Sequence, residues 1–256
     1  MMDVYSILSQ TQRLRVSDNL ILPVFDGCKS ASRLLVLIWS QLGDFDNLEY
    51  AWWLKRKSEI LQAKGISVRA IGIGDRSSGE KFCSYTGFPP ECLFIDPTAT
   101  IHRELNLYSG LSLKFPFLSA EKAAYLNLIL MCAGIGSPGT LAEVWRGYKG
   151  DLQSPQLIAD DEIIRDTPLP SIKGSFFKLV GGSGFQRPFE LATLRLKNMT
   201  EVLSNWQIYV PNSAYLTQRG GTFLFDNRGT LLYEYRDRSI LGFAANMSDP
   251  LDFLKC

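Results

Sequence analysis

Apolar and polar positions fall in blocks along this chain, and the blocks carry different periods. Leu34-Leu-Val-Leu-Ile-Trp39 is a continuous apolar run, the pattern of a strand buried on both faces. Over 47–63 apolar residues recur at helical spacing (Leu48, Ala51, Trp52, Leu54, Ile60, Leu61). Lys55, Arg56, Lys57 and Glu59 form a solvated flank there, and Gly65 marks the end. Ser67-Val-Arg-Ala-Ile-Gly72 predicts a second strand and 77–85 a short helix. Leu93-Phe-Ile95 predicts a third strand, Asp96-Pro97 a turn and 100–107 another helix. Strand, helix, strand, helix, strand implies a parallel sheet with right-handed crossovers.

Towards the C-terminus the pattern changes character. Thr222-Phe-Leu-Phe225 and Leu231-Leu-Tyr-Glu-Tyr235 flank Asp226-Asn-Arg-Gly229, the composition of a β-hairpin. Ser248 is placed to cap a closing helix through 254. Between the two halves, 108–218 reads as a long, mostly helical insertion. Its segments 120–132 and 140–146 are predicted helical and 152–184 loop-rich. The stretch 188–206 is amphipathic, with Phe189, Leu191, Leu194, Met199, Val202 and Leu203 on its apolar stripe and Pro188 in its first turn. The expected organisation is a single α/β domain over 1–256, with 111–218 inserted between the βαβ half and the hairpin.

Charge narrows the function classes. Lys+Arg 27 against Asp+Glu 26 leaves a net charge of +1, which lacks the basic excess of a dedicated nucleic-acid binder. One histidine, His102, excludes a multi-histidine metal site, and within a helix beside Arg103 and Glu104 it reads as a surface or packed residue. No metal and no cofactor is implied. Cys28, Cys83, Cys92, Cys132 and Cys256 are widely spread with no C-x-x-C, which fits a reducing compartment. Cys132 reads as core. The N-terminal residues lack a signal-peptide layout. The longest apolar stretch, 123–135, is interrupted by Asn127 and falls short of the roughly 20 residues that cross a bilayer, so it reads as a buried helix.

Several motifs dissolve on their context. Gly134-Ile-Gly-Ser-Pro-Gly139 matches G-x-G-x-x-G but follows a helix, which makes it a helix–helix joint. Gly74-Asp-Arg-Ser-Ser-Gly-Glu-Lys81 departs from a P-loop at Glu80, and its serines start a helix. Asp160-Asp-Glu162 with Asp166 lacks the alternating spacing of a calcium loop. Trp52 and Trp53 point about 100° apart on a helix, so both are covered only if a second element, the insertion or a partner, meets that helix.

Three stretches carry a resemblance. Leu93-Phe-Ile-Asp-Pro97 with Ile101-His-Arg-Glu-Leu-Asn-Leu107, Gln218-Arg-Gly-Gly-Thr-Phe-Leu-Phe-Asp226 with Gly229-Thr-Leu-Leu232, and the Gln41-Leu-Gly43 loop after the first strand are similar to the peroxiredoxin-like AhpC/TSA family. The wording is closest to its peroxiredoxin-like 2 branch. Gly43-Asp-Phe-Asp46 and Cys132-Ala-Gly-Ile-Gly136 resemble a cyanobacterial and plastid subgroup. The resemblance covers about 20–110 and 218–254. It implies a thioredoxin-like (peroxiredoxin-like) central sheet and thiol-dependent redox chemistry at the N-terminus of the first helix.

At that position the chain departs from the family. Asp44 stands where the reactive cysteine is expected and Asn47 where the second would be. A helix N-terminus and a nearby arginine lower a cysteine's pKa to give a nucleophilic thiolate, whereas an aspartate there is an anion that cannot form a sulfenate. Arg219 resembles the family's arginine that faces the thiolate. Either Asp44 pairs with Arg219, or Asp44 only caps its helix while Arg219 faces solvent.

The resulting expectation is a non-catalytic family member that binds a protein partner or serves as an assembly factor. Its candidate surfaces are the former redox cleft (Gly43, Asp44, Asp46, Asn47, Arg219), the insertion, and an interface at Trp52 and Trp53. Two alternatives stay open: a thiol oxidoreductase or peroxidase using a relocated cysteine, Cys83 or Cys92, and a small-molecule site under the insertion. The resemblance places such a protein in the cytoplasm or plastid stroma, with no transmembrane segment and with peripheral association with the thylakoid membrane left open.

Overall fold

The structure, a computed structural model, describes residues 3–165 and 170–255. Asp166 and Cys256 lie outside the described residues. A seven-stranded mixed sheet runs through the molecule in the order β2 (Ile21–Pro23), β1 (Gln12–Arg15), β5 (Leu93–Ile95), β4 (Ile66–Ile73), β3 (Arg33–Gln41), β8 (Gly221–Asp226), β9 (Leu231–Arg236). The apolar run of β3 is buried because the strand is central: it pairs parallel with β4 on one side and antiparallel with β8 on the other. β4 and β5 are parallel, and β8 and β9 form the hairpin. This is the thioredoxin-like plan that the resemblance implied.

Helices α2 (Phe45–Arg56), α3 (Ser58–Ala63) and α4 (Arg76–Thr86) make the crossovers, and α5 (Thr100–Glu104) follows β5. The helix expected over 47–63 is two, because the backbone turns away from α-geometry at Lys57. Asp75 caps α4 in a reciprocal capping box with Ser78, so its serines do lie in a helix's first turn. An N-terminal helix α1 (Val4–Gln10) lies beyond the predicted elements, and so do β1 and the edge strand β2, which extend the sheet past β5.

Between α5 and β8 come α6 (Ala120–Cys132), α7 (Thr140–Lys149), the short pair β6 (Ile163–Ile164) and β7 (Ile172–Lys173), α8 (Lys178–Gly181), α9 (Glu190–Ser204) and α10 (Trp206–Tyr209). Helix α9 packs on α2 and on α7, and α10 packs on α4, so this segment lies over one face of the sheet. Four expectations need correction here. Pro188 is not in the first turn of α9, because Phe189 precedes the helix at φ +68°, a left-handed conformation. Helix α6 is not a buried helix: its polar Asn127 is buried, exchanging bonds of 3.1 and 3.0 Å with the Leu113 backbone, while Ile129 faces out. Cys132 is exposed rather than core. Ser248 caps no closing helix, since its hydroxyl donates to Asp151 and only a 3-10 turn, Asp252–Lys255, follows.

Candidate functional site

The β3–α2 junction is the site the sequence singles out. The β3–β4 register shifts between Trp39 and Gln41, leaving Ser40 in the bulge. The freed Ser40 hydroxyl donates to Asp44 at 2.8 Å and accepts from the Asn47 amide at 3.1 Å, and Asn47 also donates to the Gln41 carbonyl at 2.6 Å. Asp44 caps α2 by accepting from the Asp46 backbone at 3.1 Å. Its other oxygen takes the Arg219 guanidinium, so Asp44 caps the helix and pairs with Arg219 at once. The alternative with Arg219 in solvent is excluded, since Arg219 is 2% exposed.

Arg219 also reaches Asp46 at 3.5 Å and the Thr217 carbonyl at 3.3 Å. Both Asp46 oxygens accept from the Leu241 backbone N–H, at 3.0 and 2.9 Å. Burial disfavours the charged guanidinium, yet the carboxylates of Asp44 and Asp46 outweigh it and hold Arg219 above its ordinary value. Asp46 is pushed well above the carboxylate range by burial and by its neighbour Asp44. Asp237, which follows the hairpin, is pushed up to about 7 by burial and by Asp44, and its Oδ1 has no hydrogen-bond partner. Gly220 allows that approach: a Cβ there would meet the Ile38 carbonyl oxygen at 2.1 Å.

The expected open cleft is filled. Gly43 is packed so tightly that a Cβ would lie 2.8 Å from the Tyr209 Cβ and 3.0 Å from Val210, and Gln41 donates to the Asn212 carbonyl. Residues 209–212 therefore cover the loop, and Gly43, Asp46, Asn47 and Arg219 are buried beneath them. His102 is buried too, with Nε2 3.1 Å from the Trp39 carbonyl oxygen. That oxygen can only accept, which puts the proton on Nε2. Burial lowers the imidazole to about 4, and Nδ1 is left without a partner.

Among the other candidates, Trp53 is buried in the core and cannot offer an interface, whereas Trp52 is half-buried with the Arg56 guanidinium 4.4 Å above its ring. Helix α9 supplies the second cover for α2. Cys83 is buried and pushed up to about 12 by desolvation, and Cys92 is raised by burial with the Arg69 guanidinium 3.6 Å from its sulfur. Asp160 of the acidic loop pairs with Lys178 and with Arg187, and no acidic, histidine or cysteine cluster suited to a metal occurs among the described residues.

Two features could not be named residue by residue from the sequence. One is a buried charge ladder: Arg195 on α9 bonds Glu49 on α2 at 2.7 Å and Glu143 on α7 at 2.7 Å, and Arg146 continues it to Asp151 at 3.0 Å. An arginine beside Leu191 and Leu194 on an amphipathic helix was its signal. The other is a cavity of about 590 Å³ between α7, α9 and residues 172–177, which reaches Phe45 next to Asp44 and Leu241 beside Asp46.

A model of AhpC/TSA antioxidant enzymes matches residues 53–239, most of the chain and a span that takes in the segment between α5 and β8. No curated protein matches.

Proposed function

The chain belongs to the AhpC/TSA antioxidant enzyme family, and from that premise we propose that it is a non-catalytic member acting as a binding or assembly-factor module. The observation that carries the reading is the Asp44–Arg219 pair. The arginine that would stabilise a thiolate is neutralised by a carboxylate, and the loop around it is sealed by residues 209–212. Support also comes from the thiols: Cys28, Cys83 and Cys92 are raised chiefly by burial, and Cys132, exposed as a residue, is raised by desolvation of its sulfur and by Asp44, so none of the four is a ready thiolate. A thiol at 12 is almost wholly protonated at neutral pH, and only the anion attacks peroxide. With the old loop filled, binding falls to the segment packed over it, whose cavity opens beside Phe45.

Hydrogen peroxide consumption with dithiothreitol as reductant tests this. The account expects no turnover above that of a variant in which every cysteine is serine. Turnover that disappears with Cys83→Ser or Cys92→Ser would establish the relocated-thiol enzyme instead.

A further inference from the structure

The cavity between α7, α9 and residues 172–177 lies beside the Asp44–Arg219–Asp46 cluster but is lined by none of those three residues. We infer that it is a binding site for an uncharged, mostly hydrocarbon small molecule, an inference that rests on the binding-module reading and names its ligand class. At about 590 Å³ it lies within the range of small-molecule sites, which run from roughly 300 to 1,000 Å³. Its inner wall is built from Phe45, Phe177, Leu196, Met199, Ile240 and Leu241.

The polar groups that reach the wall exclude a charged ligand. Among the described residues Arg195 is the one charged residue that lines it, and that guanidinium is spent on Glu49 at 2.7 and 3.2 Å and on Glu143 at 2.7 Å. The Thr140 hydroxyl is committed to the Ile240 carbonyl at 2.8 Å and to Ser137 at 2.7 Å. Among the described lining residues an anion would find no unpaired cation and a cation no free carboxylate, so either would lose hydration without compensation.

The mouth points the same way. Phe176, Tyr148 and Phe189 stand there at 53%, 47% and 46% exposure, with Tyr148 and Phe189 edge to face at 6.0 Å. Aromatic rings left half in water are stabilised by every part of their apolar surface that a ligand covers. Apolar walls, a paired-off arginine and a ring-lined mouth together suit a neutral apolar molecule.

The test is titration of the full chain with N-phenyl-1-naphthylamine, which is uncharged, and with the anionic probe 8-anilinonaphthalene-1-sulfonate. The expected result is saturable binding of one neutral probe per chain, at least tenfold tighter than the anionic one. Ala192→Trp or Val144→Trp, which fill the cavity, should weaken it at least tenfold at unchanged far-ultraviolet circular dichroism, while Ile129→Ser, on exposed surface outside the cavity, should leave it unchanged. Should both filling variants fail to fold, the native chain still decides: Cys132 lines the cavity, so saturating neutral probe should slow its alkylation by maleimide several-fold and leave Cys83 unaffected. The inference is overturned by non-saturable binding, by equal or tighter binding of the anionic probe, by filling variants that fold and bind normally, by unchanged Cys132 alkylation, or by a dimer whose formation abolishes probe binding. Peroxide turnover alongside normal probe binding would overturn the non-catalytic reading alone, whereas absent probe binding without turnover would overturn this inference alone.

Discussion

Asp44 and Arg219, 175 positions apart in the chain, form a buried ion pair at the end of β3, with Ser40 and the Asp46 backbone N–H taking the remaining capacity of the carboxylate. The helix N-terminus of α2 adds its dipole to the arginine's charge, so an anion is favoured there twice over. Around a cysteine, the same two influences would favour the reactive thiolate. Here they hold a capping residue in place.

Removing one partner of a buried pair typically costs about 3–5 kcal/mol, and without Asp44 the Arg219 guanidinium keeps only the longer contact to Asp46 at 3.5 Å. Asp44→Ala is therefore expected to destabilise by about that much, and Asp44→Asn by less, since the amide oxygen can still accept at the helix cap. Arg219→Met strands Asp44, Asp46 and Asp237 together. Urea denaturation of both single variants and of the double Asp44→Ala/Arg219→Met variant tests the pairing: the double should lose clearly less than the sum, and simple additivity would deny the coupling.

His102 makes stability fall in acid. Its imidazole is lowered from 6.5 to about 4 in the folded state, so between those values the unfolded chain binds the proton that the folded one refuses. The stability is fully present above pH 6.5 and is lost as pH falls towards 4. A full shift of this size is worth about 3 kcal/mol. Thermal melts of His102→Gln from pH 7 to pH 4 should show a flatter acid decline than the native chain, and parallel declines would contradict this.

Asp237 acts with the opposite sign over much of the same range. Its carboxyl is raised from 3.8 to about 7, so the folded chain holds a proton that the unfolded one has released. Its contribution is present below pH 3.8 and is lost as pH rises through 7. Asp237→Asn, which stays neutral and keeps an acceptor for the Gly220 N–H, should gain Tm over the native chain between pH 4 and pH 7 and hold a constant difference above that. A gain that shrinks over that interval would reverse the assignment.

The Glu49–Arg195–Glu143 ladder fastens α7 and α9 to α2. Arg195→Met removes the charge that both carboxylates share. Hydrogen exchange should then accelerate in α7 and α9 by at least tenfold while β3 and β4 keep their protection. Uniform acceleration would mean that the ladder supports the whole fold rather than this attachment.

The central fold was legible because its strands are apolar runs and its hairpin carries a turn composition. The edge was not: Gln12-Arg-Leu-Arg15 does not read as a strand, since its arginines serve ion pairs, Arg13 with Asp96 and Arg15 with Asp18. Asp44 and Arg219 could be named from the resemblance, but their contact, the seal of residues 209–212 and the unpartnered Asp237 oxygen depend on tertiary packing that no local period encodes. Cys132 is not legible because the 120–132 sequence has the composition of a buried helix, while its polar Asn127 faces inward and its Ile129 faces solvent.

The most direct test of the non-catalytic reading is the rate at which each cysteine is oxidised by hydrogen peroxide, followed residue by residue by mass spectrometry. Thiols held above their ordinary value, Cys92 even with the Arg69 guanidinium beside it, should react no faster than free cysteine, at Cys28, Cys83, Cys92 and Cys132 alike. One of them reacting orders of magnitude faster than free cysteine would contradict the account.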